Sequence, residues 1–372
     1  MPLFEHTSPN VIGVDIGSAS IKMIELANRN GLHHLVNYGF IDRLERNVRT
    51  SVKEDAAFVA AQLKAIREKT KFTTTHAVAA LPTYAVFSSI ISLPQMKKEE
   101  LASAVRWEAK KIIPLPLEDI VLDYRVLNKP AVKAKGFFAK KEAAPAQEEL
   151  LKILITGAPR DLVKRYTEIF SQADLQLTSL ETESFALTRA LVGAETAETM
   201  IVEFGATTTD IIIAEAGVPF LSRSIEVGGQ VLTRAIMNSL NINEKRAEQL
   251  KRDIGIMSFD AASGSGGVPE IIEKALEPIL HEIRYTFDIY KNNTITPSGK
   301  STGMVEKIVL TGGSAMMPNI ASYFAKQLDT NVIVGDPWAR VVYPEDLRPV
   351  LAGVGSKFSV SIGLAMRTDM TA

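Results

Sequence analysis

Two stretches of this chain lie over one another without a gap: "VIGVDIGSASIKMIEL" from Val11 and "MIVEFGATTTDIIIAEAG" from Met200. In each, an apolar run carries an acid near its end, turns through a glycine and three small residues, and resumes as a second apolar run. Glu203 falls on Asp15, Gly205 on Gly17, and Ala206, Thr207 and Thr208 on Ser18, Ala19 and Ser20. A repeated unit constrains the fold more than any single element, because one architecture must accommodate both copies. One such hairpin is compatible with a tight turn bearing a solvated acid. A matched pair points to two related half-molecules that face each other and grip one phosphate chain between their loops.

The loops indicate the chemistry. A carboxylate at the end of a buried run costs several kcal/mol unless it is paired or binds metal. Gly17 allows φ > 0 and close backbone approach, and Ser18 and Ser20 add hydroxyls to exposed N–H groups, which makes an anion-binding nest. Asp15 can then hold a hydrated Mg²⁺ beside a phosphate, with Lys22 as a further positive group.

Composition excludes several alternatives. The 372 residues suit two or three domains, and 46% hydrophobic with 23% charged residues is ordinary for a globular protein with a sizeable core. A net charge of −1 leaves no nucleic-acid footprint and no polybasic anchor. With no cysteine there is no disulfide framework, thiolate nucleophile or cysteine metal site, and five scattered histidines form no ligand cluster. "MPLFEHTSPN" is not a signal peptide, and no apolar run approaches the ~18 residues of a membrane span. The expectation is a soluble, cytoplasmic protein that reaches a membrane only through a partner.

The order of elements supports duplication. After the first hairpin come a strand at "HLVNYGFI", a helix over Lys53 to Thr70 with Phe58, Leu63 and Ile66 at helical spacing, and a strand at "HAVAALP". The same order recurs more loosely after Thr199, with helices over Val231 to Leu240 and Glu244 to Ile254. Between the halves, "VFSSIISLP", "KKEELASAVRWEAKKII", "IVLDYRVL" and "LKILITGAP" predict a strand-helix-strand-strand insert. Its helix has an apolar face at Leu101, Val105, Ala109 and Ile112 and ends before Pro114. The segment 129–149, which includes Phe137 and Phe138, reads as a mobile hairpin tip.

Two further stretches are candidate contacts. "KIVLTGGSAMMPNIASYF" is a buried strand, a double glycine with serine, and a helix; Gly312, Gly313 and Ser314 would let a ligand lie against backbone at the helix N-terminus. "EKRAEQLKRDIG" puts Glu248, Lys251 and Arg252 near one helix face. This is either a solvated charged face or a set in which Glu248 accepts from ribose hydroxyls while Lys251 and Arg252 flank the adenine or phosphates. "GKST" at Gly299 is not a P-loop, because Thr294 occupies the position of the required first glycine, and "HEIRY" at His281 lacks the second histidine of a zinc protease.

Two phosphate hairpins, a ribose helix and a "GGS" turn in this order resemble the actin-like ATPase superfamily. The resemblance implies an α/β fold of duplicated actin-like (ribonuclease H-like) domains that bind ATP and Mg²⁺. Asp15 and Glu203 would hold the metal through water, and Glu183, in "LETESFALTRALVG", would match the position that orients the attacking water. "AVRWEAKKIIPLPLEDIVLDY" and "FSVSIGLAMR" resemble, more closely, the PilM family of type IV pilus assembly proteins. The insert, 83–159, then corresponds to an SHS2-type 1C subdomain. The first actin-like domain takes 1–82 and 160–195 with a return of 351–372, and the second takes 196–350.

The resemblance further implies a cytoplasmic ATP-binding adaptor of the pilus alignment complex. Its partner would be the N-terminal segment of a PilN-like inner-membrane protein, docked in a groove beside the insert, with self-association also open. Arg106 and Trp107 are the candidate groove residues, the alternatives being a surface charge and core packing. Glu203 departs from the aspartate usual in the second hairpin. Its extra methylene moves the carboxylate by about 1 Å, enough to cost about a hundredfold in rate, so at most slow ATP hydrolysis is expected. The rival readings are an FtsA-like cell-division filament protein, disfavoured by the chain's end at "MRTDMTA" without an amphipathic helix, and a sugar or acid kinase, disfavoured by the insert.

Overall fold

The computed structural model describes residues 10–42, 56–127, 150–257, 267–292 and 304–367. The expected loop tip with Phe137 and Phe138, and the "GKST" stretch, lie outside these residues.

The first hairpin is β1 (Val11–Ile16) and β2 (Ser20–Arg29), followed by β3 (Leu32–Asp42), α1 (Ala56–Thr70) and β4 (His76–Leu81). Every residue of β1 is buried, as expected for a central strand covered on both faces. The insert then runs as β5 (Phe87–Leu93), α2 (Lys98–Ile112), β6 (Ile120–Val126) and β7 (Leu151–Pro159). The chain re-enters the first half as α3 (Arg160–Gln172), β8 (Gln176–Thr182) and α4 (Glu183–Leu191).

The second half repeats the plan with β9 (Thr199–Phe204), β10 (Thr209–Glu215) and β11 (Val218–Ile225), then α5 (Gly229–Leu240), α6 (Glu244–Ile254) and α7 (Val268–Asn292). It closes with β12 (Lys307–Thr311), α8 (Ile320–Leu328), β13 (Val332–Val334), β14 (Val341–Val342), α9 (Arg348–Val354) and α10 (Ser359–Ala365).

The described residues form three sheets, ordered β14-β3-β2-β1-β4-β8, β11-β10-β9-β12-β13 and β5-β7-β6. In the first, β1 is antiparallel to β2 and parallel to β4; in the second, β9 is antiparallel to β10 and parallel to β12. The return to the first sheet begins at Val341, which pairs with His33, rather than at 351.

Helix α10 packs between the halves, and two glycines let it in. A Cβ on Gly13 of β1 would run into the Ser361 carbonyl oxygen, and one on Gly363 would run into the Ala186 carbonyl oxygen. Around it Val360 and Leu364 share a core with Val11, Val78, Leu187, Ile201 and Ile212, drawn from both hairpins, β4 and α4.

The insert is sandwiched. Leu101, Val105 and Ala109 of α2 cover one face of its sheet. The fourth position of that stripe is Ile113, which is buried, and not Ile112, which is 39% exposed; steps of four residues beyond Ala109 reach Ile113. From the sheet's other face Ile90 and Leu154 join the core of the second half, against which Leu221 of β11 also packs. The insert therefore leaves the chain from the first half and leans on the second.

Candidate functional site

The two hairpin turns are built alike. Gly17 N–H donates to the Ser20 carbonyl at 3.0 Å, and Gly205 N–H donates to the Thr208 carbonyl at 3.0 Å. Neither glycine has positive φ. The requirement is space, contrary to the conformational argument made from sequence: a Cβ at Gly205 would lie 2.9 Å from the Thr208 carbonyl oxygen, and one at Gly17 3.1 Å from that of Ser20. The loops face a cleft of about 1040 Å³, lined from the first half by Asp15, Gly17, Ser18, Ala19, Ser20 and Lys22 and from the second by Glu203, Gly205, Ala206 and Thr208. Thr207 is absent from the lining.

The far wall is the turn after β12 and the start of α5. Gly312, Gly313 and Ser314 all line the cleft. Gly312 has φ 87° and packs so closely on β9 that a Cβ would lie 2.6 Å from the Phe204 carbonyl oxygen, so here positive φ and close approach both call for glycine. The N–H groups of Gly229 and Gln230 donate to the carbonyls of Gly205 and Ala206 at 2.9 and 2.8 Å. That contact locks the second loop onto the start of α5.

Charge differs sharply between the hairpins. Asp15 lies opposite Lys22 across the strand pair, and the two form an ion pair at 2.8 Å. Burial pulls the Lys22 ammonium down, but the carboxylates of Asp15, Glu203 and Asp42 outweigh it and hold Lys22 above its ordinary value. In the second hairpin Glu203 lies opposite Asp210, acid facing acid. Glu183, the first residue of α4, joins them, and one carboxylate oxygen from each of the three lies within 4.8 Å of the others. Glu183 does not line the cleft; it is 2% exposed and sits behind it. Its Oε2 accepts from the N–H and the Oγ1 of Thr83 at 3.0 and 3.3 Å.

The charged trio of α6 also lines the cleft, but its members are not equivalent. Lys251 is 5% exposed, and its ammonium donates to the Gly229 carbonyl at 3.0 Å, to Thr233 Oγ1 at 2.9 Å and to Glu248 Oε2 at 2.6 Å. Those contacts engage its three N–H donors, so Lys251 ties α6 to α5 while it lines the cleft. Arg252 Nε donates to Glu248 Oε1 at 2.8 Å. Burial alone would raise the Glu248 carboxyl, but the charge of Lys251 and the hydrogen bonds from Lys251, Thr233 and Arg252 hold it at about 2. It is a fixed anion, with acceptor capacity left for a hydroxyl.

Arg106 and Trp107 lie on the solvent face of α2, with Trp107 66% exposed; core packing is excluded for Trp107.

Sequence reasoning missed eleven of the lining residues, Asp210, Thr233, Asp42 and Lys357 among them. Asp210 aligns with Lys22 in the same gapless overlay, a signal that was present. Thr233 had none in its local sequence. Asp42 and Lys357, paired at 3.2 Å, come from opposite ends of the chain.

A family model described as "Type IV pilus assembly protein PilM" matches residues 13–369. The chain is 22% identical over 349 residues to the cell division protein FtsA of Enterococcus faecalis (strain ATCC 700802 / V583), covering 86% of this chain and 77% of that protein. Among solved structures it is similar to one described as "PilM-PilN type IV pilus biogenesis complex", with a TM-score of 0.75, 23% identity, and coverage of 96% of this chain and 98% of that one. It is also similar to MreB 5 of Spiroplasma citri bound to AMPPNP, with a TM-score of 0.50, 14% identity, and coverage of 96% and 95%. The fold is the actin-like α/β fold.

Proposed function

This chain belongs to the type IV pilus assembly protein PilM family, and on that premise we propose that it is an adaptor of the pilus assembly machinery whose conformation is set by ATP and Mg²⁺. The observation that carries the nucleotide reading is the pair of matched glycine turns on either side of one cleft. Phosphates fit between the turns, Glu248 receives the ribose hydroxyls, and the Gly312–Gly313 turn lies along the base. The acidic cluster fits a hard divalent cation, since it offers three carboxylates from two elements of the second hairpin and from α4. Asp15, whose carboxylate already receives Lys22, is better placed to hold that lysine than the metal. When bound, Mg²⁺ would neutralise phosphate charge; Glu183 remains the candidate for ordering a water, and turnover is slow or absent.

The partner reading rests on the family and on the exposed face of α2. We assign the contact with the cytoplasmic N-terminal segment of a PilN-like membrane protein to the insert, with Trp107 and Arg106 as anchors, since exposed Trp and Arg are the residue types that dominate interface energetics. No helix among the described residues is long and apolar enough to cross a membrane.

Isothermal titration with ATP and Mg²⁺ should give one site per chain, abolished in Asp15→Ala. Undiminished affinity in that variant would contradict the site. A synthetic peptide of the partner's N-terminus should bind the full chain and bind Trp107→Ala about 30-fold more weakly, the loss of about 2 kcal/mol usual for a hot-spot truncation. A second reading, an FtsA-like filament, draws on the similarity to FtsA over 86% of this chain, and predicts light scattering that rises on adding ATP and Mg²⁺.

A further inference from the structure

The chain leaves the first sheet for the insert at the end of β4, and the residue at that exit is Thr83. It opens a short 3₁₀ turn, Thr83–Ala85, and is 9% exposed. Both of its donors aim at one acceptor: the backbone N–H and the Oγ1 hydroxyl reach Oε2 of Glu183 at 3.0 and 3.3 Å. Glu183 is one hundred residues away in sequence and belongs to the acidic cluster. The other end of its attachment is also fixed. Thr182 caps α4 by accepting from Phe185 N–H at 3.4 Å, and Ser184 Oγ lies 3.0 Å from Ser222 Oγ of β11.

A space of about 40 Å³ separates these parts, lined by the hydroxyl residues Thr83 and Ser88 from the insert side, Thr182 from the end of β8, Ser184 from α4 and Ser222 from β11, together with Val86, Phe185 and Pro219. It marks the point where the insert, the first half and the second half meet. Two converging donors hold a carboxylate in one rotamer, which is how outer partners orient a cation ligand.

We propose that Thr83 is a positioning residue that fixes the Glu183 carboxylate in the acidic cluster, so that the root of the insert and a divalent cation bound by that cluster are energetically linked. The proposal rests on the cation reading given above. Linkage is reciprocal: whatever loosens the insert's root weakens the cation, and the cation in turn holds the root.

The two donors can be removed separately. Thr83→Val deletes the hydroxyl. Thr83→Pro deletes the N–H as well, and the backbone tolerates it, because the 3₁₀ turn needs no donor at its first position and Pro82, at φ −58° and ψ 138°, already has the conformation that precedes proline. Thr83→Ser keeps both donors. Mn²⁺ alone is titrated into the full-length, nucleotide-free chain by electron paramagnetic resonance. In parallel, hydrogen exchange over residues 83–93 is followed with and without Mg²⁺.

Wild type and Thr83→Ser should bind Mn²⁺ equally. Thr83→Val should bind more weakly than wild type, and Thr83→Pro weaker still, by about 10-fold or more, the range for loss of an outer partner. Mg²⁺ should slow exchange over 83–93 in wild type and Thr83→Ser but not in Thr83→Pro. If Thr83→Pro does not fold, Thr83→Val and the wild-type exchange carry the test. Unchanged Mn²⁺ affinity in the folded variants, or exchange over 83–93 that ignores Mg²⁺ in a wild type that binds it, overturns the role of Thr83 alone. A wild type that binds no Mn²⁺ overturns the cation reading and this inference with it.

Discussion

The two hairpins share a backbone and differ in charge. Asp15 faces Lys22 where Glu203 faces Asp210, while the turn hydrogen bond is 3.0 Å in both. Duplication preserved what the turn needs, a glycine pressed against a carbonyl, and left the cross-strand pair free to diverge. The first hairpin carries its own cation. The second presents two acids, with Glu183 as a third, and like charges placed opposite one another in a strand pair are destabilising. The first half thus pairs its acid within the hairpin, and on the cation reading proposed above the second takes a divalent cation from solution at its acidic cluster.

The largest effects should come from breaking what the hairpins share. Gly205→Val would press a branched side chain on the Thr208 carbonyl, 2.9 Å from the first added carbon. Calorimetry should find ATP affinity at least about 100-fold lower, the scale of loss expected when a loop that positions phosphates shifts by about 1 Å. Gly17→Val, with 3.1 Å at the same place, should lose less. Equal affinities in wild type and Gly205→Val would mean the turns do not face the ligand.

Next comes the feature that only the first hairpin has. Lys22 and Asp15 are 11% and 6% exposed at their side chains, and removing one partner of a buried pair costs about 3 kcal/mol or more. Lys22→Met should show that loss in urea unfolding. Asp210→Asn should have the opposite sign without divalent cation, a gain of about 0.5 kcal/mol from relieved repulsion. A destabilised Asp210→Asn would show that the second pair is not repulsive.

The contrast between hairpins was half legible in the sequence. The overlay that matched Asp15 with Glu203 was read through the loop and stopped at Thr208, two residues short of Asp210. Elsewhere, local periodicity located helices well but could not say what they touch. It placed Glu248, Lys251 and Arg252 on one helix face, yet the carbonyl of Gly229 that occupies Lys251 comes from another helix. Ile112 and Ile113 are adjacent, and the four-residue step from Leu101 through Val105 and Ala109 that selects Ile113 was legible in the sequence. The contact of Ile90 and Leu154 with the second half is tertiary, as is the hold of Thr83 on Glu183; neither leaves a local pattern.

The smallest effect concerns the far end of the cleft, where cations surround one acid. Glu248 titrates at about 2 in the folded chain, below its ordinary value of 4.5. A carboxyl depressed by folding adds stability that is fully present above the ordinary value and is lost as pH falls from there toward 2. Wild type should therefore lose stability over that window more steeply than Glu248→Gln in acid titrations followed by circular dichroism. Parallel curves would contradict the assignment.

The most direct test of the difference between hairpins is to give the second the charge pattern of the first. Asp210→Lys would set an ammonium opposite Glu203, as Lys22 stands opposite Asp15. Calorimetric ATP affinity is compared with Mg²⁺ and with EDTA in both proteins. Wild type should bind at least about 10-fold more tightly with Mg²⁺, a difference of about 1.4 kcal/mol, and Asp210→Lys should bind equally well in either. A folded Asp210→Lys that keeps the full Mg²⁺ dependence of wild type would contradict the account, because the second hairpin would then not be the half that a cation completes.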